Sequence, residues 1–470
     1  MLFASALRLL DENPTYLKLP VEVGTQVSWL CLGLGVLVLL WAWTRVESVR
    51  RSLLALEDPR MLAVMRIGFA LMTIQCFWNM KPHWRFLWSD EGLYLLEEAR
   101  QRLGRSALSG WTPEEGFFDL WAVARFFWGK FSFFFLEASP SFVNAYMYAF
   151  AGVLLLYAAG VASRITGLVS FVMMSSIYNH NALYLEGTDT VYRVFWFILI
   201  FARTGHAWSF DNWLRCWWLR RKGRLQEPGE APRPGAEPVY RLVPAWPRYL
   251  MIGQLIGIYT ETGLVKTGGV WARGDALYYA LNMDDFYRFE DYTQILSAFL
   301  GTNLFKVMTY VTHWWEMCFA AAGLGMILKF GLDHREEPWY RAMESARWRV
   351  WLGRAALVGA YVLLYWINRL AYPYCIDTGK DAQQAAIDAR LAEGLAKIDG
   401  VYLVAIPLAV GLWFVARRWP ITVIGEGRRL GRLRLPTWRI DQAWLRRWFV
   451  GRRVWLGLGF CFHGILIVFM

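Results

Sequence analysis

Apolar segments of nearly membrane-spanning length recur along the whole chain, and they constrain its fold more than any other feature. A helix needs about 20 mostly apolar residues to cross the hydrocarbon core of a bilayer, within a range of roughly 17 to 25. Ten segments approach this length, and they cover residues 26–44, 61–80, 142–162, 166–184, 190–202, 247–266, 304–330, 350–370, 401–416 and 454–470. The pattern predicts an all-α integral membrane protein, a polytopic helical bundle of about ten transmembrane helices.

Two further segments have the character of surface helices. Residues 117–136 are apolar and aromatic but are interrupted by Asp119, Arg125 and Lys130, which predicts an interfacial or re-entrant helix with a charged face. Residues 381–398 have helical spacing and predict a short amphipathic helix outside the membrane.

The composition also favours a membrane protein. The chain is 56% hydrophobic and 19% charged, whereas soluble proteins average about 25% charged residues. Its 28 Trp suit the aromatic belts at the two membrane interfaces. The net charge of +12 comes from Arg residues clustered between apolar segments and not from one polar face. We therefore expect membrane lipids as partners and no nucleic acid.

The basic residues sort to alternate connections, which sets the predicted orientation. Lys and Arg in short loops mark the cytoplasmic side, and this rule places the N-terminus outside. The predicted parts are an exoplasmic segment at 1–25, a first span and cytoplasmic loop at 26–60, a membrane core at 61–330 with a Pro/Gly-rich cytoplasmic linker at 226–238, and C-terminal membrane helices at 331–470. Lys266 then lies at the outer end of the sixth span.

The sequence lacks the motifs of several common kinds of site. Four of the six cysteines fall inside apolar segments, so no disulfide framework is predicted, and the N-terminus has no pattern of a cleavable signal peptide. Metal-ligand spacings, a Walker A loop and a GxSxG elbow are missing, so we expect no metal. An enzyme of this sequence would use Lys/His acid–base chemistry on a lipophilic substrate.

Residues 249–279 hold the most informative ionisable group. Lys266 ends an apolar helix that also carries Glu261, and the three- and four-residue spacing places Tyr259 and Lys266 on one face. A lysine in a dry pocket loses its proton more readily and can act as a base near neutral pH. The alternative is a lysine that extends to the interface.

A second polar group lies between the fourth and fifth spans. Six polar or charged residues within a short window bounded by apolar helices suggest the mouth of a lined cavity, and a solvated turn is the alternative. They are Asn179, His180, Asn181, Glu186, Asp189 and Arg193.

Three more polar residues fall inside predicted spans. We interpret Arg66 as an interfacial or helix-packing arginine, Glu316 as a buried hydrogen-bond or ion-pair partner of one of the arginines, and His463 as a hydrogen-bonded core histidine.

At these residues the sequence resembles the horizontally transferred transmembrane (HTTM) domain of vitamin K-dependent γ-glutamyl carboxylase and its bacterial relatives. The resemblance rests on four ordered segments that cover most of residues 60–290 and part of the C-terminus. They are RIGFALMTIQCFW with FLWSDEGLY, GVASRITGLVSFVMMSSIYNHNALYLEGTDTVYRVFWFILIFARTGHAWSFD, IGIYTETGLVKTGGVWARGDALYYAL, and FCFHGILIVFM.

The resemblance implies a chemistry and a location. In the family a lysine deprotonates reduced vitamin K, oxygen is consumed as the quinone epoxide forms, and the resulting strong base prepares a peptide glutamate to capture carbon dioxide. Lys266, five positions before Trp271, falls at the catalytic lysine, and His180 falls at the assisting histidine. The other expected substrate-binding residues are Asn179, Tyr259, Asp189, Arg193, Trp271 and Glu316. The bacterial relatives imply the inner membrane, with the site facing outside.

Two functions stay open at this point. The animal carboxylase has a large lumenal β-rich region, and we expect no counterpart here. The first function is therefore lysine-based oxidation or epoxidation of a hydroquinone with oxygen, with or without carboxylation of an exported peptide. The alternative is a non-catalytic membrane module that binds lipid or quinone or helps to mature an exported peptide, with Lys266 paired to Glu261 or Asp275. A transporter is the third alternative.

Overall fold

The computed structural model describes residues 20–93, 95–98, 101, 127, 131–181, 187–231, 233–266, 269–282, 290–375, 384–424, 429–430, 433–434, 438–448 and 453–469. These residues are predominantly helical. They divide into two compact units, a central unit of Leu53–Met251 and a flanking unit of Met1–Ser52 with Ile252–Met470. The boundary falls within one long helix, Trp246–Val265.

The described helices follow one another through the chain in this order: α1 (Val21–Thr44), α2 (Val46–Leu54), α3 (Arg60–Asn79), α4 (Trp84–Trp88), α5 (Pro140–Ala159), α6 (Ser163–His180), α7 (Gly187–Phe201), α8 (Phe210–Arg221), α9 (Trp246–Val265), α10 (Gly269–Arg273), α11 (Ala276–Leu281), α12 (Glu290–Met317), α13 (Ala320–Asp333), α14 (Pro338–Ser345), α15 (Arg347–Ala371), α16 (Gln384–Asp399), α17 (Ile406–Arg418), α18 (Gln442–Trp448) and α19 (Arg453–Phe469).

The described strands form four two-stranded ladders: β1 (Leu56–Glu57) with β4 (Val243–Pro244), β2 (Leu225–Gln226) with β3 (Glu237–Pro238), β5 (Ile421–Ile424) with β8 (Trp438–Ile440), and β6 (Arg429–Leu430) with β7 (Leu433–Arg434). The β2–β3 pair is parallel and the other three are antiparallel. They connect helices and build no larger sheet among the described residues.

The central unit is built on four neighbouring helices. Helix α5 packs against α3 and α6, and α6 packs against α7. Aromatic side chains fill the space between them, and Trp88, Phe134, Phe150, Tyr157 and Trp196 are completely or almost completely buried. Large rings bury much apolar area for little conformational entropy, so this core fixes the helices that carry the predicted polar window.

One end of the central unit is held together by polar contacts that we call the Arg66 junction, made of Arg66, Gly160, Ser163, Ser209 and Asp211. The Arg66 guanidinium is buried and donates to the backbone carbonyls of neighbouring helix ends. Gly160 ends α5 with φ 72°, and a Cβ there would lie 2.3 Å from the Cβ of Ser209. The Asp211 carboxylate accepts the backbone N–H of Ser163 at 2.8 Å and so caps α6. Arg66 is therefore a helix-packing residue.

In the flanking unit, α1 and α15 form an antiparallel pair. Added Cβ atoms at Gly353 and Gly359 of α15 would lie 2.6 Å from Thr44 and 3.0 Å from Leu37 of α1, respectively. Small residues let two helices approach closely where lipid offers no hydrophobic drive for association. The two glycines therefore explain how these helices pack.

Five described helical stretches are long and apolar enough to cross a membrane: Val21–Thr44, Arg60–Asn79, Pro140–Ala159, Arg347–Tyr374 and Gln384–Ala416. A described helix also overlaps each of the other predicted spans, in agreement with the all-α prediction. The number ten and the orientation stay predictions.

Two predicted elements differ in shape. The span predicted at 304–330 consists of Asn303–Met317 and Ala320–Asp333, bent by 52°. Backbone hydrogen bonds between residues three apart, such as Phe319 N–H to Glu316 O at 3.1 Å, tighten the turn and break the helix axis there. The amphipathic segment predicted at 381–398 continues from α16 through a π-helical turn, Gly400–Ala405, into α17. Pro407 has no N–H to donate, and the helix widens just before it.

Candidate functional site

The two predicted catalytic residues belong to different compact units. Lys266 lies in the flanking unit and His180 in the central unit. A hollow shared by both therefore stays a prediction, and the surroundings of each residue are given separately.

Close approach of two helices brings Lys266 to its partner. Helix α9 ends at Val265, and its last turn crosses α12 at Gly263. A Cβ at Gly263 would lie 2.5 Å from the backbone nitrogen of Met317 and 2.9 Å from the Cβ of Glu316. Only glycine allows this contact, because any larger residue would separate the helices. Lys266 follows directly after the helix and is thereby held beside Glu316.

Lys266 and Glu316 form an ion pair. The Nζ atom of Lys266 donates to the Oε2 atom of Glu316, whose residue is 4% exposed. Nζ also lies 4.5 Å from the centre of the Trp271 ring, within the range of a cation–π contact. Lys266 thus contacts two other predicted site residues, Glu316 and Trp271.

The ion pair corrects two expectations about partners. Glu316 is buried and ion-paired, in agreement with the prediction, but its partner is Lys266 and not an arginine. Neither Glu261 nor Asp275 pairs with Lys266. Glu261 is exposed on α9, and Asp275 accepts from Arg273 at 3.0 Å. Lys266 therefore pairs with a residue fifty positions away on α12 and not with a neighbour in the sequence.

His313 joins the same group from one turn before Glu316. Its Nε2–H donates to the Gly263 carbonyl at 2.9 Å, and its ring lies 5.7 Å from the Trp271 ring. The sequence contains a signal for this residue, because positions 313 and 316 in THWWEM share one helix face. It was not among the predicted site residues.

Tyr259 lies one turn before Gly263 on α9 and makes its own polar contact. Its hydroxyl lies 2.6 Å from Nε2 of His463 on α19. His463 thus has a hydrogen-bond partner, as expected, but it is exposed and does not belong to the core. The Tyr259 ring packs against Trp315, the residue before Glu316 on α12, which places the Tyr259–His463 contact beside the Lys266–Glu316 pair.

Aromatic rings surround this group, and one of them has an unused donor. The rings of Trp315 and Phe319 lie 5.0 and 4.9 Å from that of Tyr259. Trp315 is 6% exposed, and its Nε1–H is buried with no hydrogen-bond partner among the described residues. A buried donor without an acceptor is costly. An oxygen-bearing ligand in this position would remove that cost.

The predicted polar window of the central unit is arranged differently. His180 is buried, with the rings of Phe134 and Phe135 at 5.4 and 5.3 Å. Its neighbour Asn179 donates to the carbonyl of Phe131 at 2.9 Å and accepts from Arg193 at 3.4 Å. The structure therefore brings Asn179 and Arg193 together and places His180 in aromatic surroundings.

Asp189 occupies the first turn of α7, where a negative charge interacts favourably with the helix dipole. Glu186, which was predicted beside it, lies outside the described residues, as do most residues of the interfacial segment predicted at 117–136. Within the described ranges, no cluster of three or more His, Cys, Asp or Glu has the arrangement of a metal site.

The fold and these contacts define a class of protein. It is an all-α chain, compatible with an integral membrane protein, that carries a lysine–glutamate pair among aromatic rings. No protein-family model, curated protein or solved structure matches the chain.

Proposed function

We propose that this protein is a membrane protein of the HTTM family that binds a reduced quinone and uses Lys266 as the base in its oxygen-dependent oxidation or epoxidation. The observation that carries the proposal is the combination of Lys266, Glu316, Trp271 and His313 in one contact group at the end of α9. Acid–base groups beside aromatic rings suit a substrate that is apolar, planar and hydroxylated.

The residues present fit such a ligand. The rings of Trp271, Trp315 and Phe319 offer faces and edges for stacking against an aromatic ring system. The buried Nε1–H of Trp315 supplies a donor for a quinone or quinol oxygen. Tyr259 and His463 form a second polar contact near the same carboxylate. These side chains would hold a bound hydroquinone, which supplies the electrons for reduction of oxygen.

The ion pair gives Lys266 a route to its basic form. Transfer of one proton from the Lys266 ammonium to the Glu316 carboxylate yields a neutral amine and a neutral acid, and the net charge does not change. Because Glu316 is buried, this exchange leaves no isolated charge in the protein interior. The amine then accepts the proton of a substrate hydroxyl and becomes an ammonium again. Glu316 is therefore proposed as a positioning residue that also holds a proton.

Residues of the central unit have proposed roles as well, and the protein has a proposed location in the cell. His180 is proposed as an assisting residue, with Asn179, Asp189 and Arg193 contributing to substrate binding. Carbon dioxide and an exported peptide enter as co-substrates if oxidation is coupled to glutamate carboxylation. The proposed location is the bacterial inner membrane, with basic loops in the cytoplasm.

The test is a turnover assay on purified full-length protein in lipid nanodiscs. A reduced naphthoquinone and oxygen are added, and epoxide is measured by chromatography. Lys266→Ala is expected to lower turnover by about 10²- to 10⁴-fold, the usual contribution of a general base. Lys306→Ala, at an exposed position on α12, is the matched control and should keep full turnover. Full turnover in Lys266→Ala would overturn the proposal.

The ion pair also favours a second function. In the ion pair the positive charge of Lys266 is balanced by the carboxylate of Glu316. Such a pair suits a module that binds lipid or quinone without turnover. Quinol binding by the native protein that Trp315→Phe weakens, with no epoxide formed, would support this function over the enzyme.

A further inference from the structure

Helix α8 exposes an unusual number of large aromatic side chains. Its described outer surface carries exposed Phe210, Trp213, Leu214, Trp217 and Trp218. Its inner surface packs on the central unit through the buried Asn212 and Leu219. Contiguous apolar patches of this kind on one helix mark a surface that contacts something other than water.

The Arg66 junction fixes where α8 begins relative to the apolar helices. Arg66 lies in the second turn of α3, and its guanidinium binds the carbonyls of Ala158, in the last turn of α5, and of Trp208, just before α8. Asp211 of α8 binds the backbone N–H of Ser163, where α6 starts. Helices α3 and α5 are both long and apolar enough to cross a membrane. Helix α8 therefore starts at the level of the N-terminal end of α3 and the C-terminal end of α5.

The C-terminal end of α8 is strongly basic. Arg220, Arg221, Lys222 and Arg224 follow one another at the end of the helix. Arg221 lies 3.9 Å from the ring centre of Trp217, and Lys222 lies 3.6 Å from that of Trp218. In the part of the chain that the structure describes, neither Arg221 nor Lys222 pairs with a carboxylate. Each cation is held beside an exposed indole and keeps its charge available.

A cleft adjoins the same aromatic surface. It measures about 270 Å³ and is lined by Trp208, Trp213, Trp217, Arg220 and Tyr240, together with Ser209, Asn212, Cys216 and Val239. Its lining combines indole rings with hydroxyl and amide groups, which suits the glycerol and acyl-chain region of a phospholipid, whereas Arg220 is paired with Glu227 at 2.6 Å.

We propose that α8 is an interfacial helix that binds anionic phospholipid. The exposed rings lie at the boundary of headgroups and acyl chains, which is where Trp is favoured in membranes. Arg221 and Lys222 contact the lipid phosphates, and each basic residue near an anionic surface contributes about fivefold to the binding equilibrium. This surface belongs to the central unit, and the proposal depends on neither Lys266 nor a quinone.

The experiment uses the full chain in two sets of nanodiscs, one of phosphatidylcholine alone and one in which about a third of the lipid is phosphatidylglycerol. Hydrogen exchange is measured by mass spectrometry on peptides covering residues 210–224. Exchange in the native protein is expected to be several-fold slower with phosphatidylglycerol. Arg221→Gln with Lys222→Gln should remove most of this difference. Arg233→Gln, in the exposed segment after α8, is the matched control and should leave it unchanged.

A second variant tests the aromatic contact. Trp213→Ala with Trp217→Ala should speed exchange of the same peptides in both lipid compositions, because the rings contact lipid whatever its charge. Equal exchange of the native protein in both nanodiscs and in a lipid-free amphipol would overturn the proposal. An unchanged lipid effect in the Arg221/Lys222 variant would also overturn it. A partner protein on this surface would give protection that depends on the added protein and not on lipid charge.

Discussion

Replacing Glu316 by Gln tests the ion pair on which the candidate site is built. The substitution keeps the size of the side chain and removes its charge. Lys266 then loses its counter-ion but keeps its place beside Trp271. The measured quantity is the free energy of unfolding, so the test applies whether or not the protein is an enzyme.

The exposure of the two side chains sets the expected size of the effect. Removing one partner of a fully buried ion pair costs about 3–5 kcal/mol. Here the Glu316 side chain is 5% exposed but the Lys266 side chain is 23% exposed, so water screens one end of the pair. The contact with Trp271 retains about 0.5–2 kcal/mol of stabilisation for the cation. We therefore expect Glu316→Gln to destabilise the protein by about 2 kcal/mol.

A double-mutant cycle isolates the pair itself. Lys266→Met, Glu316→Gln and the double variant are unfolded in mixed micelles with increasing sodium dodecyl sulfate and followed by circular dichroism. The double variant should be more stable than the sum of the single changes predicts, by about 1–2 kcal/mol of coupling energy. The control cycle combines Lys266→Met with Glu261→Gln, a substitution at an exposed position. Its coupling energy should stay within about 0.5 kcal/mol. Additive effects in the Glu316 cycle would refute the reasoning.

Three further changes probe the packing and the titration of described residues. Gly263→Ala should cost about 1–3 kcal/mol because its Cβ would collide with the backbone of Met317, whereas Gly257→Ala has open space and should be neutral or stabilising in the same unfolding titration. Asp211→Asn should cost about 0.5–2 kcal/mol through the weakened cap of α6, and thermal unfolding measures it. Burial lowers the pKa of His206, so the unfolded chain binds a proton first and stability should fall as pH drops below about 6.5. His206→Gln should flatten that pH dependence.

The same measurements have clear contrary outcomes. Equal stability of the two glycine variants would show that α9 and α12 do not cross closely. An unchanged melting temperature on loss of the aspartate charge would remove its role as a cap. A stability profile whose slope below neutral pH survives the histidine substitution would assign the titration to another group.

The long apolar helices could be predicted because their signal is local. A run of about 20 apolar residues is long enough for a span without reference to the rest of the chain, and a described helix overlaps each of the ten predicted positions. The bend at Met317–Ala320 and the π-helical turn before Pro407 depend on backbone hydrogen bonding and were not visible in the apolar pattern. Whether each helix crosses the bilayer depends on more than its length.

The candidate site was only partly predictable for a related reason. The sequence singled out Lys266 and Glu316 because charged residues are rare inside apolar helices, and Tyr259 because its spacing places it on the same helix face as Lys266. Trp271 was expected only from the family resemblance. It did not indicate that Glu316 is the partner of Lys266, or that His463 reaches Tyr259 from the last helix.

The amino-acid sequence by itself determined which segments are apolar helices and which ionisable groups they carry, because helix formation and hydrophobic length depend on neighbouring residues. The tertiary structure decided which of those groups meet. Gly263 allows α9 to approach α12, and that one crossing selects the partner of Lys266. Contacts between residues far apart in the chain depend on how whole helices pack, and no local pattern encodes them.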